Sequence, residues 1–210
     1  RLAGKIKEAD RQLGELEASF QLGRLVQAGI SVFITGRPNA GKSSVFNGLL
    51  LDDRAIVTDI PGTTRDALTE TIDLEGIPAR LVDTAGIREA SDPVERLGVE
   101  KSLEYLRDSD VVLFVVDQSI PFDQEDRYIW ERVREYPCVL ALNKEDLPPR
   151  VEIPSDIKEG CAEMIRVSAL EHTHFQQLEG ALFRASMQHQ HLESEGVMVT
   201  SLRHKQCLEK

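Results

Sequence analysis

The sequence predicts an α/β fold: a mostly parallel sheet with helices on both faces, set between two helical flanks. Three observations predict it. From Ile30 onward, short apolar runs rich in β-branched residues alternate with longer helical patterns, as in sheets built from strand–helix crossovers. A glycine-bounded loop, Gly36-Arg37-Pro38-Asn39-Ala40-Gly41-Lys42-Ser43, separates the first such run from the helical pattern that follows it. Ahead of both, Leu2, Ile6, Ala9, Leu13, Leu16 and Phe20 recur at alternating steps of four and three, a narrow apolar stripe that wants a partner helix.

Taken in order, residues 1–28 read as that first helix, weakened by Gly4, Gly14 and Gly23 at about 1 kcal/mol each relative to Ala. Strands are expected near 30–35, 67–74, 78–83, 110–116, 137–142 and 163–168. Helices are expected over 42–51, 94–107, 123–135 and 171–187. Glu75-Gly76-Ile77 is short enough to close a hairpin, so one strand of that pair runs antiparallel. Pro137 opens its strand, where a missing N–H is tolerated. Pro148, Pro149 and Pro154 punctuate a loop before Ile157, and residues 188–199 read as a linker. Thr200 or Ser201 then caps a short helix from Leu202 to Lys210, expected to lie beside the first one. The expected division is a helical segment over 1–29, an α/β domain over 30–187, and a linker with a returning helical segment over 188–210.

The 210 residues suffice for one well-buried domain with appendages. Against 25 basic residues stand 36 acidic ones, a net charge of −11, which disfavours direct binding to a phosphate backbone. No run approaches the roughly 20 apolar residues of a membrane-spanning helix, so no membrane partner is expected. Cys138, Cys161 and Cys207 are widely spaced, with no zinc pattern and no disulfide framework, and a reducing cytoplasm is the simpler expectation. The opening Arg1-Leu2-Ala3 is neither an initiator Met nor a signal peptide, which suggests a piece of a longer protein.

The loop from Gly36 to Ser43 fits the pattern G-x-x-x-x-G-K-[ST] between a strand and a helix. In that setting backbone N–H groups, those of Asn39, Ala40, Gly41 and Ser44 among them, curl around phosphate oxygens at the positive end of the helix dipole. Lys42 would reach the β- and γ-phosphates, and Ser43 would offer its hydroxyl to Mg²⁺. Asp83-Thr84-Ala85-Gly86 ends a strand, where the carboxylate can hold Mg²⁺ through water and the Gly86 N–H can meet a γ-phosphate. Asn143-Lys144-Glu145-Asp146 follows another strand. Asp146 presents two acceptors to guanine N1–H and the 2-amino group, Asn143 braces the loop, and the Lys144 stem can lie against the base. Ser168-Ala169-Leu170 follows a third strand and offers backbone N–H to guanine O6. Between the first two motifs lies Thr58-Asp59-Ile60-Pro61-Gly62-Thr63-Thr64-Arg65-Asp66, where a Thr can complete the Mg²⁺ shell; the alternative is a plain polar loop. All four motifs, in this order and at strand ends, mark a Ras-like P-loop GTPase domain that binds GTP or GDP with Mg²⁺.

GRPNAGKSS, TDIPGTTRD, DTAGIREASDPVERLGVEKS and NKED closely resemble the G domain of the MnmE (TrmE) family of tRNA-modification GTPases. The resemblance covers 30 to about 187, and Leu202-Arg203-His204-Lys205-Gln206-Cys207-Leu208 resembles the point where that family re-enters its helical domain. It implies a G domain inserted between helices of an α-helical domain. It also implies a G-domain homodimer, an MnmG-like flavoprotein partner, and carboxymethylaminomethyl-type modification of wobble uridine in tRNA reached through the parent complex. The family's C-terminal Cys-x-Gly-Lys motif is absent, since Cys207-Leu208-Glu209-Lys210 carries Glu in place of Gly. Era and Der GTPases share the shorter motifs but are less similar around GIREASDPVE.

Ras-like GTPases orient the attacking water with a Gln directly after Asp-x-x-Gly; here that position is Ile87. The resemblance implies a K⁺ ion in place of an arginine finger, held by Asn39 with oxygens of Thr58, Ile60 and Thr63. It also implies Mg²⁺ held by Thr64 with Ser43, and Glu95 as the acid that orients water indirectly. A monovalent cation between β- and γ-oxygens neutralises charge that builds in the transition state. Pro61 stiffens the K⁺ loop without removing a needed side chain. Glu95 could instead be an acid favouring a helix N-terminus, and Arg65 is the rival finger beside Asp66. His189 and His191 read as solvated, Trp130 and Tyr128 as packing residues, and Cys138 as core. Two other functional classes share these motifs: an Era- or Der-like ribosome-assembly switch, and an interaction module that binds GTP without hydrolysing it.

Overall fold

The computed structural model describes residues 29–52, 69–83 and 104–193. In chain order its strands are β1 (Ile30–Thr35), β2 (Thr69–Leu74), β3 (Ile77–Asp83), β4 (Val111–Asp117), β5 (Cys138–Asn143) and β6 (Glu163–Arg166). The helices are α1 (Lys42–Asp52), α2 (Gln124–Val133), α3 (Ser155–Gly160) and α4 (Phe175–Glu193). The strands form one sheet in the order β2-β3-β1-β4-β5-β6, parallel throughout except for the β2–β3 hairpin. That hairpin turns on Glu75 and Gly76, both left-handed at φ 55° and 87°, the hand that matches the twist of the flanking strands.

The inner strands are buried on both faces, which is why Val111–Asp117 and Cys138–Asn143 read as continuous apolar runs. Alternation along β4 divides the interior in two. Val111, Leu113 and Val115 join β1 and the apolar stripes of α1 and α4, through Val45, Leu49, Phe175, Leu178 and Leu182. Val112, Phe114 and Val116 face the opposite way, toward Trp130 and Val133 of α2 and Ile157 of α3. Trp130 stacks on Phe114 with ring centroids 6.5 Å apart. Leu106, in the short helical stretch 104–107, packs into this second core.

The expected strands and hairpin are present, with β6 shorter than expected. Three expectations change. The stretch read as loop contains α3, whose six residues bury only Ile157, too few apolar positions to show a helical period. Its N-cap is Pro154, which makes no side-chain cap bond. The helix expected over 171–187 starts at Phe175, because His172 and His174 are left-handed at φ 55° and 63°. It continues to Glu193, so the first half of the expected linker is helical: Gln and Glu are good helix formers, and polarity marks solvation rather than a break. Tyr128 is 59% exposed and lies under Arg132 instead of packing inside, whereas Trp130 and Cys138 are core as expected. The flanking helices expected over 1–28 and 202–210, most of the one over 94–107, and the loop 53–68 lie outside the described residues.

Gly48 lets α1 meet the N-terminus of α4. A Cβ there would stand 2.3 Å from the ring of Phe175, which is itself buried and stacked on His172 at 4.6 Å. Gly48→Ala gains about 1 kcal/mol of helix propensity but overpacks the ring at about 1–3 kcal/mol. The expected outcome is a net loss of stability, read as a lower urea midpoint at unchanged m-value.

Candidate functional site

Because β1, β4, β5 and β6 run parallel, the loops at their carboxyl ends share one edge of the sheet, the edge where open α/β sheets hold ligands. The loop after β1 is shaped by two glycines. Gly36 has φ 152°, and a Cβ on it would lie 2.2 Å from the Val115 carbonyl oxygen. Gly41 has φ 92°, and its Cβ would lie 2.1 Å from Asn143 Nδ2. No other residue satisfies both the dihedral and the clearance. Between them Asn39 is left-handed at φ 62° with an exposed side chain. The first turn of α1 follows at once, Val45 N–H donating to the Gly41 carbonyl at 2.8 Å, so the helix N-terminus faces the loop. Lys42 is buried and crosses the loop to donate from Nζ to the Arg37 carbonyl at 2.9 Å.

Asn143, the last residue of β5, joins this loop to two others. Its Nδ2 donates to the Ala40 carbonyl at 2.9 Å, and its Oδ1 accepts from the Ala169 N–H at 3.1 Å. The turn beyond it begins at left-handed Lys144 (φ 68°) and closes with Leu147 N–H donating to the Lys144 carbonyl at 2.9 Å. Asp146, inside the turn, accepts from Ser168 Oγ at 2.5 Å. Glu145 Oε2 accepts from His174 Nδ1 at 2.7 Å, a second tie between the loops after β5 and β6.

Four partners here carry no motif. Lys144 Nζ meets Asp117 Oδ2 at 2.5 Å at the end of β4. Burial acts to raise the Asp117 carboxyl, but hydrogen bonds from Lys144 and Ser119 outweigh it and hold the group below its ordinary value. Next to it, buried Gln118 donates to two carbonyls of the Lys144–Leu147 turn. Arg37 pairs with Asp123 and lies 3.4 Å from Asp126, the two acids of the α2 capping box. Burial raises the Asp126 carboxyl above its ordinary value, against the pull of the Asp123 N–H and Arg37. A carboxylate that ends a wholly apolar strand was the available signal for Asp117; no local pattern marks Gln118 or the Arg37 pairing.

The structure therefore brings together Asn39, Ala40, Gly41, Lys42, Ser43, Ser44, Asn143, Lys144, Glu145, Asp146, Ser168, Ala169 and Leu170. Ser43 is exposed in the first turn of α1, where a hydroxyl suits a divalent cation. The Ser168 N–H donates to Thr173 Oγ1 at 3.3 Å and the Ala169 N–H to Asn143 Oδ1 at 3.1 Å, bonds that brace this loop. Asp83 closes β3 in register with Ile34, which brings the end of that strand beside the end of β1. Thr58, Asp59, Ile60, Pro61, Gly62, Thr63, Thr64, Thr84, Ala85, Gly86 and Glu95 lie outside the described residues.

Residues 31–144 match a family model described as 50S ribosome-binding GTPase. Among individual proteins, the tRNA modification GTPase MnmE of Carboxydothermus hydrogenoformans is 44% identical over 98% of this chain and 45% of its own length. Its counterpart from Aquifex aeolicus is 41% identical over 94% of this chain and 43% of its own length. The chain thus spans under half the length of these relatives. Among solved structures, the FeoB G domain of Methanococcus jannaschii superposes with a TM-score of 0.54 at 22% identity, over 75% of this chain and 97% of that one. Era from Aquifex aeolicus, bound to GDP and AlF4−, gives 0.53 at 24% identity over 76% of this chain and 56% of that one.

The Asp117–Lys144 pair has a defined pH signature. A carboxyl held below its ordinary value contributes stability that is complete above the unfolded value, about pH 4, and is lost as pH falls through the folded value. Asp117→Asn is therefore expected to lower the unfolding free energy at pH 7 and to leave little difference at the acid end of the range. Urea unfolding of both proteins across that range checks this: a difference independent of pH would mean that the charge on Asp117 contributes nothing.

Proposed function

The chain belongs to the 50S ribosome-binding GTPase family, and from that premise we propose that it is the potassium-activated GTPase unit of a longer protein similar to MnmE. In this reading it pairs with a second copy through its nucleotide face. The observation that carries the nucleotide reading is the pair of hydrogen bonds of Asn143, which joins the phosphate loop and the loop after β6 at the residue where the Asp146 turn begins. Asp146 reads guanine N1–H and the 2-amino group, with its orientation held by Ser168. The Lys42 ammonium and the N–H groups of the loop and of the first turn of α1 take the β- and γ-phosphate charge. Hydrolysis forms a bond from water oxygen to the γ-phosphorus, breaks the β–γ bridge bond, and releases GDP and phosphate.

Ser43 and Thr64 would hold Mg²⁺, which when bound supplies charge neutralisation across the phosphates. Asn39 fits a K⁺ site as far as the described residues reach: it is exposed in the loop, in a left-handed conformation at φ 62°. Thr58, Ile60 and Thr63 would complete that site, and Glu95 would orient water. The parent protein, with an MnmG-like flavoprotein, would modify wobble uridine in tRNA in the cytoplasm. The net charge of −11 argues that the tRNA contact belongs to the parent complex rather than to this chain.

Cation identity tests the potassium reading. K⁺, Rb⁺ and NH₄⁺ are expected to support dimerisation and phosphate release with GTP or a transition-state mimic, and smaller Na⁺ to fail. Asn39→Ala is expected to remove the difference while nucleotide affinity persists. Light scattering and phosphate release at constant ionic strength measure both, and equal behaviour in Na⁺ and K⁺ would overturn the reading. An arginine finger predicts general screening alone.

A further inference from the structure

We propose that Gln118 is a positioning residue for base specificity: its side-chain amide grips both ends of the turn that presents Asp146 to guanine. The inference rests on the reading of Asp146 as the guanine-binding carboxylate.

The geometry is a fork. Gln118 Nε2 donates to the Lys144 carbonyl at 3.3 Å and to the Leu147 carbonyl at 3.2 Å, the first and last residues of the turn. The backbone of Gln118 extends the grip in both directions. Its N–H donates to the Asn143 carbonyl at 3.0 Å, just before the turn, and its carbonyl accepts from Arg150 and Val151 N–H at 2.8 and 3.1 Å, just after it. One residue thus holds the chain before, at both ends of, and beyond the segment carrying Asp146. Gln118 is 2% exposed, so these bonds form away from bulk solvent, where an unmade partner is costly.

Two points favour positioning over simple packing. An apolar side chain of similar length would fill the same space but would remove this donor from the Leu147 carbonyl, and leave the Lys144 carbonyl with the Leu147 N–H alone among the described donors. In addition, the Asp146 carboxylate has a single described side-chain bond, from Ser168, which orients it but does not set the height of the turn. Reading guanine requires two acceptors to meet two donors at once, so a small tilt of the turn loses the second contact before the first. Hypoxanthine, which keeps N1–H but lacks the 2-amino group, uses only the first. The ratio of GTP to ITP affinity therefore reports the placement of Asp146 separately from the strength of the site.

The test compares the 210-residue chain with Gln118→Met and Gln118→Glu. Met keeps length without donors, and Glu sets a carboxylate against two carbonyls. Equilibrium titrations with GTP and with ITP, both with Mg²⁺, give the ratio, and thermal melting confirms that each variant is folded. The expected result is a GTP affinity about tenfold weaker in Gln118→Met, with ITP changing by less than about threefold, and a larger loss of ratio in Gln118→Glu. Either variant alone suffices if the other does not fold. If both nucleotides weaken by the same factor, or neither changes, Gln118 is structural only and the proposal is overturned. If the parent chain itself binds GTP and ITP equally, the reading of Asp146 fails first, and the proposal falls with it.

Discussion

The site depends on one side-chain amide. Asn143 Nδ2 holds the Ala40 carbonyl and its Oδ1 holds the Ala169 N–H, at the point where three loops from three strands converge. Asn143 is almost wholly buried, so either bond left unmade would strand a polar group in the interior, at a cost of roughly 1–3 kcal/mol. An aspartate there could accept from Ala169 but would face the Ala40 carbonyl with no donor. A leucine, close to the amide in shape, would make neither bond. The shape of the phosphate loop and the placement of the base turn are in this sense one constraint: the φ of 92° and the Asn143 amide together require glycine at 41.

What brings Asn143 within reach is the parallel sheet. β1, β4 and β5 run side by side in the same direction, so Thr35, Asp117 and Asn143 end their strands along a common edge. Alternation on β4 sends its apolar residues into two separate cores, and the strand then stops on Asp117, which Gln118 follows, two polar residues whose side chains both bond the loop after β5. The cores fix the strand ends, and the strand ends supply the braces. Stability and nucleotide recognition meet in the same few residues, and the hydrogen bonds that hold the Asp146 turn come mainly from its neighbours in the sheet.

Much of this was legible in the sequence because it is local. The β-branched runs, the glycine punctuation and the short hairpin connection each announce themselves within a few positions, and so do the short motifs of the phosphate and base loops. α3 was not legible, since six residues with one buried side chain carry no period, and the polar end of α4 read as linker because composition reports solvation more directly than backbone conformation. The braces were hidden for a different reason. Arg37 and Asp123 are 86 residues apart, and Gln118 and Lys144 are 26 apart, with no repeating pattern between them. Such pairs exist only once the sheet has brought two strand ends together. Sequence motifs therefore named the groups expected to touch the nucleotide, while the residues that hold the described ones in place emerged from the fold.

The same distinction bears on how an acidic chain manages an anionic ligand. A net charge of −11 sets the distant field, yet the phosphate cradle is built from backbone N–H groups, a helix N-terminus and Lys42, whose effect is confined to a few ångströms. Arg37 lies in that loop and would be the obvious further cation. Its guanidinium instead turns away to Asp123 and Asp126, where it ties the phosphate loop to the N-terminus of α2. An arginine held by two carboxylates would lose both on swinging toward a γ-phosphate, and one of them, Asp126, would be left buried without its cation. The arginine of the loop is thus structural, and charge on the phosphates beyond what Lys42 and the N–H groups of the loop can meet needs another source. That requirement is what makes a bound monovalent cation at the exposed Asn39 rim a physically economical proposal: it supplies positive charge without dismantling the brace that keeps the loop in shape.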